Sequence, residues 1–342
     1  MDLPNLDRFP RKILTHPVQI EHLENLSKEM DGPEIYMLPD HLNQYGGNKT
    51  RKLEWLLGDA IEKGATDIIT QGAIQSNHAR QTAAVSAKQG MACHILLEDR
   101  IGDGTEEYYR NGNVLLCQLF RASVESYPGK TDMNKAMETK AEKLRAEGKN
   151  PYIIPGGGSN SVGALGYVNA ARDIVNQAKE QGLVIDHIVH ATGSTGTQAG
   201  LVAGLHALKS DIPLLGISVK APERTQVANV LKLAKEVTEK LEVETPLPDE
   251  AVQVDDRFVG KGYGIPAKDT IAAIELFARK EGVLLDPVYS GKGAAGLLQL
   301  IREGRFKKGE KVLFIHTGGA QALSGYRDAF DVPEIPRYSS PV

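Results

Sequence analysis

Ile188-Val189-His190-Ala191-Thr192-Gly193-Ser194-Thr195-Gly196-Thr197-Gln198-Ala199-Gly200 is the stretch on which the fold turns. An apolar run passes into a loop of glycines and hydroxyls, and the loop opens a helical stretch from Gln198 to Leu208. Strand, loop and helix in that order make an anion cradle. The glycines let backbone N–H groups converge, Ser194, Thr195 and Thr197 add donors, and the helix offers its partly positive N-terminus. The spacing matches neither GxGxxG nor a loop ending in Gly-Lys-Ser/Thr, so NAD and ATP fit poorly and a phosphate on a smaller cofactor is expected, held by Gly193, Ser194, Thr195, Gly196 and Thr197.

The same alternation runs outward in both directions and defines an α/β fold with helices packed on mainly parallel sheets. Upstream, the patterning predicts a helix over 51–63, a strand over 67–70, a helix over 77–89, and a strand over 93–97. One helix over 105–120, a strand over 123–127, a helix over 132–148 and a strand over 152–155 follow. Downstream come helices over 161–181, 198–208, 224–241, 268–281 and 292–303, with strands over 187–191, 214–219 and 311–316 and a closing helix from Gln321. The stretch 242–253 holds two prolines and four acids and reads as an exposed connection. A chain of 342 residues exceeds what one core usually supports, so two domains sharing a cleft are expected.

Bulk composition narrows the function. The formal net charge is −4 and the charges are interspersed, which argues against nucleic acid or an anionic membrane as partner. No apolar run approaches the ~18 residues that a spanning helix needs, and Met1-Asp2-Leu3-Pro4-Asn5 lacks the basic and apolar regions of an export signal. Cys93 and Cys117 read as two buried thiols rather than a disulfide or a zinc site, so no metal is expected and a reducing cytoplasm suits the chain.

A second motif lies far upstream. Gly46-Gly47-Asn48-Lys49-Thr50-Arg51-Lys52 puts a lysine on a glycine-backed turn where an amphipathic helix begins. By itself the heptad also reads as a solvated cationic turn. As a Schiff-base nucleophile, Lys49 would need its pKa lowered, which neighbouring Arg51 and Lys52 and partial burial would promote. An imine-forming lysine and a separate phosphate cradle together suggest pyridoxal phosphate.

Six motifs then resemble one family in the same order: Gly46 to Glu54, Gly72-Ala73-Ile74-Gln75-Ser76-Asn77-His78, the 192–200 loop, Gly262-Tyr263-Gly264-Ile265-Pro266, Leu285-Asp286-Pro287-Val288-Tyr289-Ser290-Gly291-Lys292 and His316-Thr317-Gly318-Gly319. They are similar to the pyridoxal-phosphate family that contains 1-aminocyclopropane-1-carboxylate deaminase, D-cysteine desulfhydrase and L-cysteate sulfo-lyase. The resemblance spans about Leu6 to Tyr326. It implies a two-domain, fold type II enzyme like the tryptophan synthase β-subunit, with a large cofactor domain of residues 1–50 and 162–342, a small inserted domain of 51–161, and a homodimeric assembly.

The resemblance also assigns roles. Lys49 would carry the cofactor and act as base, and Lys52, Asn77, Ser290 and Thr317 would help bind the cofactor. Gln75, Ser76, Asn77, His78, Gly158 and Ser159 would hold the substrate, with Tyr263 and Tyr289 facing it and acting in catalysis with Ser76. Ser76 and Asn77 also read as helix caps, and both readings can hold together. His78 at the start of a buried helix reads equally as structural. One departure stands out: where relatives carry a basic-basic-acidic-acidic run, this chain has Tyr36-Met37-Leu38-Pro39-Asp40-His41, and only Asp40 matches.

Ser290 separates the activities within the family. The deaminases carry a glutamate there, paired with the pyridine nitrogen, whereas the sulfur lyases carry a small hydroxyl. A hydroxyl cannot stabilise a pyridinium as a carboxylate does, so prompt β-elimination of a good leaving group is expected and cyclopropane opening is not. Thr70-Gln71-Gly72-Ala73, Cys93 to Asp99 and Gly156-Gly157-Gly158-Ser159-Asn160 look closer to the cysteate lyases. The expected reaction is therefore conversion of a small amino acid, L-cysteate, to pyruvate, ammonia and sulfite, with D-cysteine desulfhydration as the alternative and aminocyclopropane deamination or a non-catalytic pyridoxal-phosphate carrier further behind. Backbone and hydroxyl donors of 157–160 with Thr317-Gly318 would receive the sulfonate.

Overall fold

Ile188, Val189 and Ala191 are apolar at both faces of an extended run, which suits a strand covered by helices on two sides, and all three are buried. The computed structural model describes residue 3 and residues 5–333. Met1, Asp2 and Pro4 of the export reading, and the end of the expected large domain at 334–342, lie outside the described residues. In chain order the elements are β1 (Glu21–His22), α1 (Glu24–Met30), β2 (Glu34–Leu38), α2 (Lys49–Glu62), β3 (Asp67–Ala73), α3 (Asn77–Lys88), β4 (Ala92–Asp99), α4 (Glu106–Arg110), α5 (Asn113–Leu119), β5 (Ser123–Pro128), α6 (Met133–Ala146), β6 (Pro151–Ile154), α7 (Ser161–Glu180), β7 (His187–Thr192), α8 (Gly196–Ala207), β8 (Leu214–Ser218), α9 (Glu223–Lys240), β9 (Gln253–Asp255), α10 (Lys268–Glu281), α11 (Ser290–Arg302) and β10 (Lys311–Ile315). A 3-10 segment at Ala320–Ala329 stands where a closing α-helix was expected.

Two sheets result. One has six strands in the order β1-β2-β10-β7-β8-β9, parallel except for the short β1–β2 pair, and the other has four parallel strands in the order β5-β4-β3-β6. The α/β fold read from the sequence is the fold observed. Helix α2 bridges the two regions: Trp55 packs into the core around α7 and α8, while Leu53, Leu56 and Leu57 pack with Ile68 and Ile154 of the smaller sheet.

Besides the 320–329 segment and the unexpected β1 and α1, three further segments differ from the sequence reading. The single helix expected over 105–120 is broken at Asn111–Gly112, because Gln75 reaches in and takes the carbonyls of Tyr108 and Asn111 at 2.6 and 2.9 Å. Gly112 sits there at φ +61°, where a Cβ would lie 2.5 Å from Gln75 Oε1. The stretch 242–253 is not wholly an exposed connection: Leu247 and Val252 are buried, and Gln253 starts β9 on the sheet edge. Finally, β2 was not anticipated; it lies beside β10 in parallel register, Ile35 opposite Val312. Cys93 and Cys117 are free and buried, and burial pushes both thiols up to about 12. Among the described residues no helix is long and apolar enough to cross a membrane.

Candidate active site

Parallel strands aim their C-terminal ends the same way, and ligands collect there because loops and helix N-termini offer unpaired backbone donors. Here those ends, from both sheets, line one cavity of about 200 Å³. Gln71, Gly72 and Ala73 come from β3, Arg100 follows β4, Gly156 and Gly157 follow β6, Gly193 and Ser194 follow β7, Lys220 follows β8 and Thr317 follows β10. Asn48, Lys49, Ser76, Asn77, His78, Tyr263 and Tyr289 complete the wall.

Lys49 opens α2 and is 6% exposed. Its turn is fastened to the loop after β10, because Asn48 N donates to the Thr317 carbonyl at 3.0 Å and Gly47 bridges Gly318. Lys49 Nζ donates to Asn48 Oδ1 at 2.9 Å and stands 5.1 Å from the centre of the Tyr289 ring. Burial pulls its pKa down to about 8, with Asp286 opposing and Arg80 adding to the fall. The expectation that Arg51 would do this is corrected, whereas Lys49 and Lys52 do repel one another. Arg51 turns away into a buried pairing with Asp40 and Asp173, each at 2.8 Å, and the Tyr167 hydroxyl donates to the same Asp40. Asp40, the one residue matching the family's charged run, is therefore what braces the start of α2.

The phosphate cradle can be tested against pyridoxal phosphate from the protein side. Lys52 is wholly buried, forms no ion pair among the described residues, and donates only to Gly157 O at 3.0 Å and Ser159 Oγ at 3.5 Å. Burial, reinforced by Lys49, pushes its pKa well below the usual lysine range. A buried cation with no counter-ion calls for an anion, and the lack of a side chain at Gly196 lets the backbone that opens α8 lie beside it: a Cβ there would stand 3.1 Å from Lys52 Nζ. Thr195 supports the same reading: a non-glycine residue at φ +69°, its hydroxyl tied to Ser194 O at 2.6 Å, marks the strained backbone that clusters at ligand clamps. Thr197 is buried and accepts from Asn48 Nδ2 at 3.1 Å, joining cradle to lysine turn. These residues fit the phosphate of the cofactor.

Ser76 caps α3, accepting from Ala79 N at 3.1 Å, and also lines the cavity, so both sequence readings coexist. Asn77 faces the cavity while its amide spans Asp286 Oδ2 at 3.1 Å and Asn113 at 2.8 Å. His78 meets the Thr70 hydroxyl at 2.8 Å through Nε2, and Thr70 in turn donates to Ile154 O at 2.8 Å, so Nε2 must carry the proton. Its Nδ1 is a buried acceptor with no protein partner among the described residues, and burial with Lys49 and Lys52 keeps the ring neutral. Burial also raises both cavity tyrosines, which stay protonated near neutral pH; Tyr263 additionally feels Arg100, whose guanidinium stands 5.2 Å from its ring.

Other expected residues sit elsewhere. Gln75 is spent on the α4–α5 break and does not line the cavity. Ser159 presents its hydroxyl to Gly196 N at 3.1 Å, Asn160 caps α7 through Gly163 N at 2.8 Å, and neither they nor Gly158 form cavity wall. Ser290 is fully buried; its hydroxyl accepts from Asp286 N at 2.8 Å and lies 2.7 Å from Asp286 Oδ1 and 3.0 Å from Gly318 O.

Four residues went unassigned in the sequence analysis. Asp286 sits behind the wall, its carboxylate taking donors from Asn77, Tyr289 N and Ser290 N, and burial still raises its pKa. Arg80 clamps the lysine turn through Gly46 O at 3.1 Å. Arg100 and Lys220 bring two cations to the cavity. Their position just past parallel strands was a usable signal.

The fold and cavity define a pyridoxal-phosphate enzyme of the α/β class with a lysine on a helix-opening turn and a separate phosphate loop. Residues 13–318 match the family described as pyridoxal-phosphate dependent enzyme. A D-cysteine desulfhydrase from Klebsiella pneumoniae subsp. pneumoniae is 46% identical over 329 residues, covering 95% of this chain and 99% of the relative, and one from Klebsiella pneumoniae strain 342 is 44% identical over the same coverage. A crystal structure of an ACC deaminase homologue superposes with a TM-score of 0.85 at 38% identity, over 95% of this chain and 96% of that one. A hydrogen sulfide-producing enzyme from Fusobacterium nucleatum, with a TM-score of 0.60 at 17% identity over 94% and 99%, shares the fold. The chain belongs to the pyridoxal-phosphate family of the ACC deaminases and D-cysteine desulfhydrases, and pyridoxal phosphate is its cofactor.

Proposed function

We propose that the protein is a carbon–sulfur lyase that removes sulfur from a cysteine-like amino acid by β-elimination, with D-cysteine as substrate and pyruvate, ammonia and sulfide as products. The observation that carries this reading is Lys49, an amine held to about 8 inside a cavity whose wall includes two protonated phenols. The desulfhydrase relatives, similar over almost their whole length, support D-cysteine over the L-cysteate expected from the sequence. Bound pyridoxal phosphate supplies the electron sink for charge that develops at Cα. Lys49, partly neutral near pH 8, takes the Cα proton at Nζ. Ser76 and the amides opening α3 orient the substrate carboxylate. Tyr289 or Tyr263 gives a proton to the departing sulfur, which a thiolate needs more than sulfite does.

L-Cysteate stands as a second reading on one observation: the cavity wall carries Lys49, Arg100 and Lys220 and, among the described residues, no Asp or Glu. Pyruvate, sulfide and sulfite should be followed from D-cysteine, L-cysteine, L-cysteate and 1-aminocyclopropane-1-carboxylate side by side. Sulfide from D-cysteine at the highest kcat/KM is the expected result; sulfite from L-cysteate with D-cysteine inert reverses the assignment, and pyruvate from none of them ends it. With this reading we assign the two sheets to a large domain of 1–50 and 162–342 and a small domain of 51–161, in a cytoplasmic homodimer whose mass sedimentation equilibrium measures.

A further inference from the structure

The phosphate loop with Lys52 accounts for one anion, and Ser76 with the start of α3 accounts for the substrate carboxylate. Arg100 and Lys220 are left over. Arg100 spends its Nε on Glu98 Oε2 at 2.6 Å, and its two terminal nitrogens make no hydrogen bond among the described residues. Lys220 makes no hydrogen bond or ion pair there at all. Burial and the Arg100 charge hold the Lys220 ammonium below its ordinary range, against a smaller pull from Glu98. Glu98 offsets much of the Arg100 charge, but Lys220 adds a second cation to a cavity with no carboxylate on its wall among the described residues, so an entering anion is favoured there.

We infer that Arg100 and Lys220 form a subsite for a second anionic group on the substrate, a sulfonate on Cβ. A guanidinium with two free nitrogens offers paired donors to such an oxyanion, and the ammonium adds a point charge. This inference rests on the lyase reading in its second form, with L-cysteate as substrate, since D-cysteine carries no such group. For a sulfonate the chemistry balances without an oxidant: Lys49 takes the Cα proton, the Cβ–S bond breaks, and its electron pair leaves on sulfur as sulfite. Addition of one water then releases pyruvate and ammonia. The subsite also replaces the 158–160 donors, which are engaged elsewhere.

The test uses holoenzyme, so that the phosphate cradle is already filled. Two unreactive probes that lack the amine, 3-sulfopropionate and 3-mercaptopropionate, are titrated by calorimetry into the wild type, Lys220→Gln, Lys220→Arg and Arg100→Lys. Lys220 lines the cavity but is exposed as a whole residue and makes no hydrogen bond among the described residues, so its replacement spares the core. Lys220→Gln should weaken 3-sulfopropionate about tenfold more than 3-mercaptopropionate, and Lys220→Arg should restore most of the loss. The ratio of kcat/KM for L-cysteate to that for D-cysteine should fall by a similar factor. Equal weakening of both probes, or none, overturns the subsite and leaves the lyase reading standing. Charge-dependent sulfopropionate binding in an enzyme that yields pyruvate from neither amino acid overturns the lyase reading and leaves the subsite.

Discussion

Lys52→Met should move two properties in opposite directions. In the cofactor-free protein Lys52 has no exposure and no counter-ion, only Gly157 O at 3.0 Å and Ser159 Oγ at 3.5 Å. Methionine has a similar length and no charge, so the variant apoprotein should gain about 1–3 kcal/mol, the usual cost of an uncompensated buried polar group. The holoenzyme should lose a charge-assisted contact to the phosphate worth about 1.5–3 kcal/mol, or roughly 10- to 150-fold in cofactor affinity. The stabilisation conferred by cofactor shrinks accordingly. The pH dependence has a definite sign. The folded-state pKa lies well below the ordinary 10.5, so between those values the unfolded chain binds more protons, and apoprotein stability should climb as pH rises through the folded-state value towards 10.5. Lys52→Met should lack that part of the slope. Urea unfolding of both apoproteins at pH 7 and 9, with cofactor titrations followed by absorbance, measures all three effects. A variant that is less stable without cofactor and binds it as tightly as the parent would refute the placement of Lys52 as a phosphate counter-ion.

The remaining predictions concern Lys49 and Ser290. Only a neutral amine captures the cofactor aldehyde, so the rate of covalent capture by apoprotein should rise with pH with a midpoint at about 8; a midpoint near 10.5 would remove the role given to burial. Borohydride should fix the cofactor to the peptide containing Lys49, and Lys49→Ala should hold it weakly and eliminate nothing; label on Lys52 instead would transfer the role. Ser290→Glu would set a second carboxylate against Asp286, where the Ser290 hydroxyl now lies 2.7 Å from Oδ1. Like charges in a buried site cost several kcal/mol unless one is protonated, so the variant should melt well below the parent. An unchanged melting curve would show that the site has room for a family glutamate after all.

What could be read from the sequence was what is local in it. The 188–208 strand, loop and helix and the lysine turn declare themselves through glycine, hydroxyl and helix-start chemistry within a dozen residues. What failed depends on distant partners. No pattern within 105–120 reveals that Gln75 takes two carbonyls there, and no feature of Gly46–Lys52 tells that Arg51 faces Asp40 and Asp173 rather than Lys49. The Ser159 hydroxyl and the Asn160 amide were expected as donors to the substrate, but packing turns both into acceptors, Ser159 from Gly196 N of the phosphate loop and Asn160 from Gly163 N of its own helix. Asp286 stood inside a quoted motif without a role because, although Tyr289 N and Ser290 N of that motif bind it, Asn77 and the lysine it acts on, Lys49, lie far away in the chain.

Asp286 is the counterweight of the site. Taken alone, burial beside Arg80 would drive the Lys49 pKa further down, and Asp286 draws it back to about 8. The carboxylate does this from behind the wall, screened by Asn77 on one oxygen and by the Ser290 and Tyr289 amides on the other. Its charge therefore reaches the lysine without being presented to the substrate, and the wall itself stays free of acid. That arrangement reconciles two demands that conflict in a small cavity. The base needs a nearby negative charge so that it is not neutral at every physiological pH, while an amino-acid carboxylate and a cofactor phosphate both need to enter without repulsion.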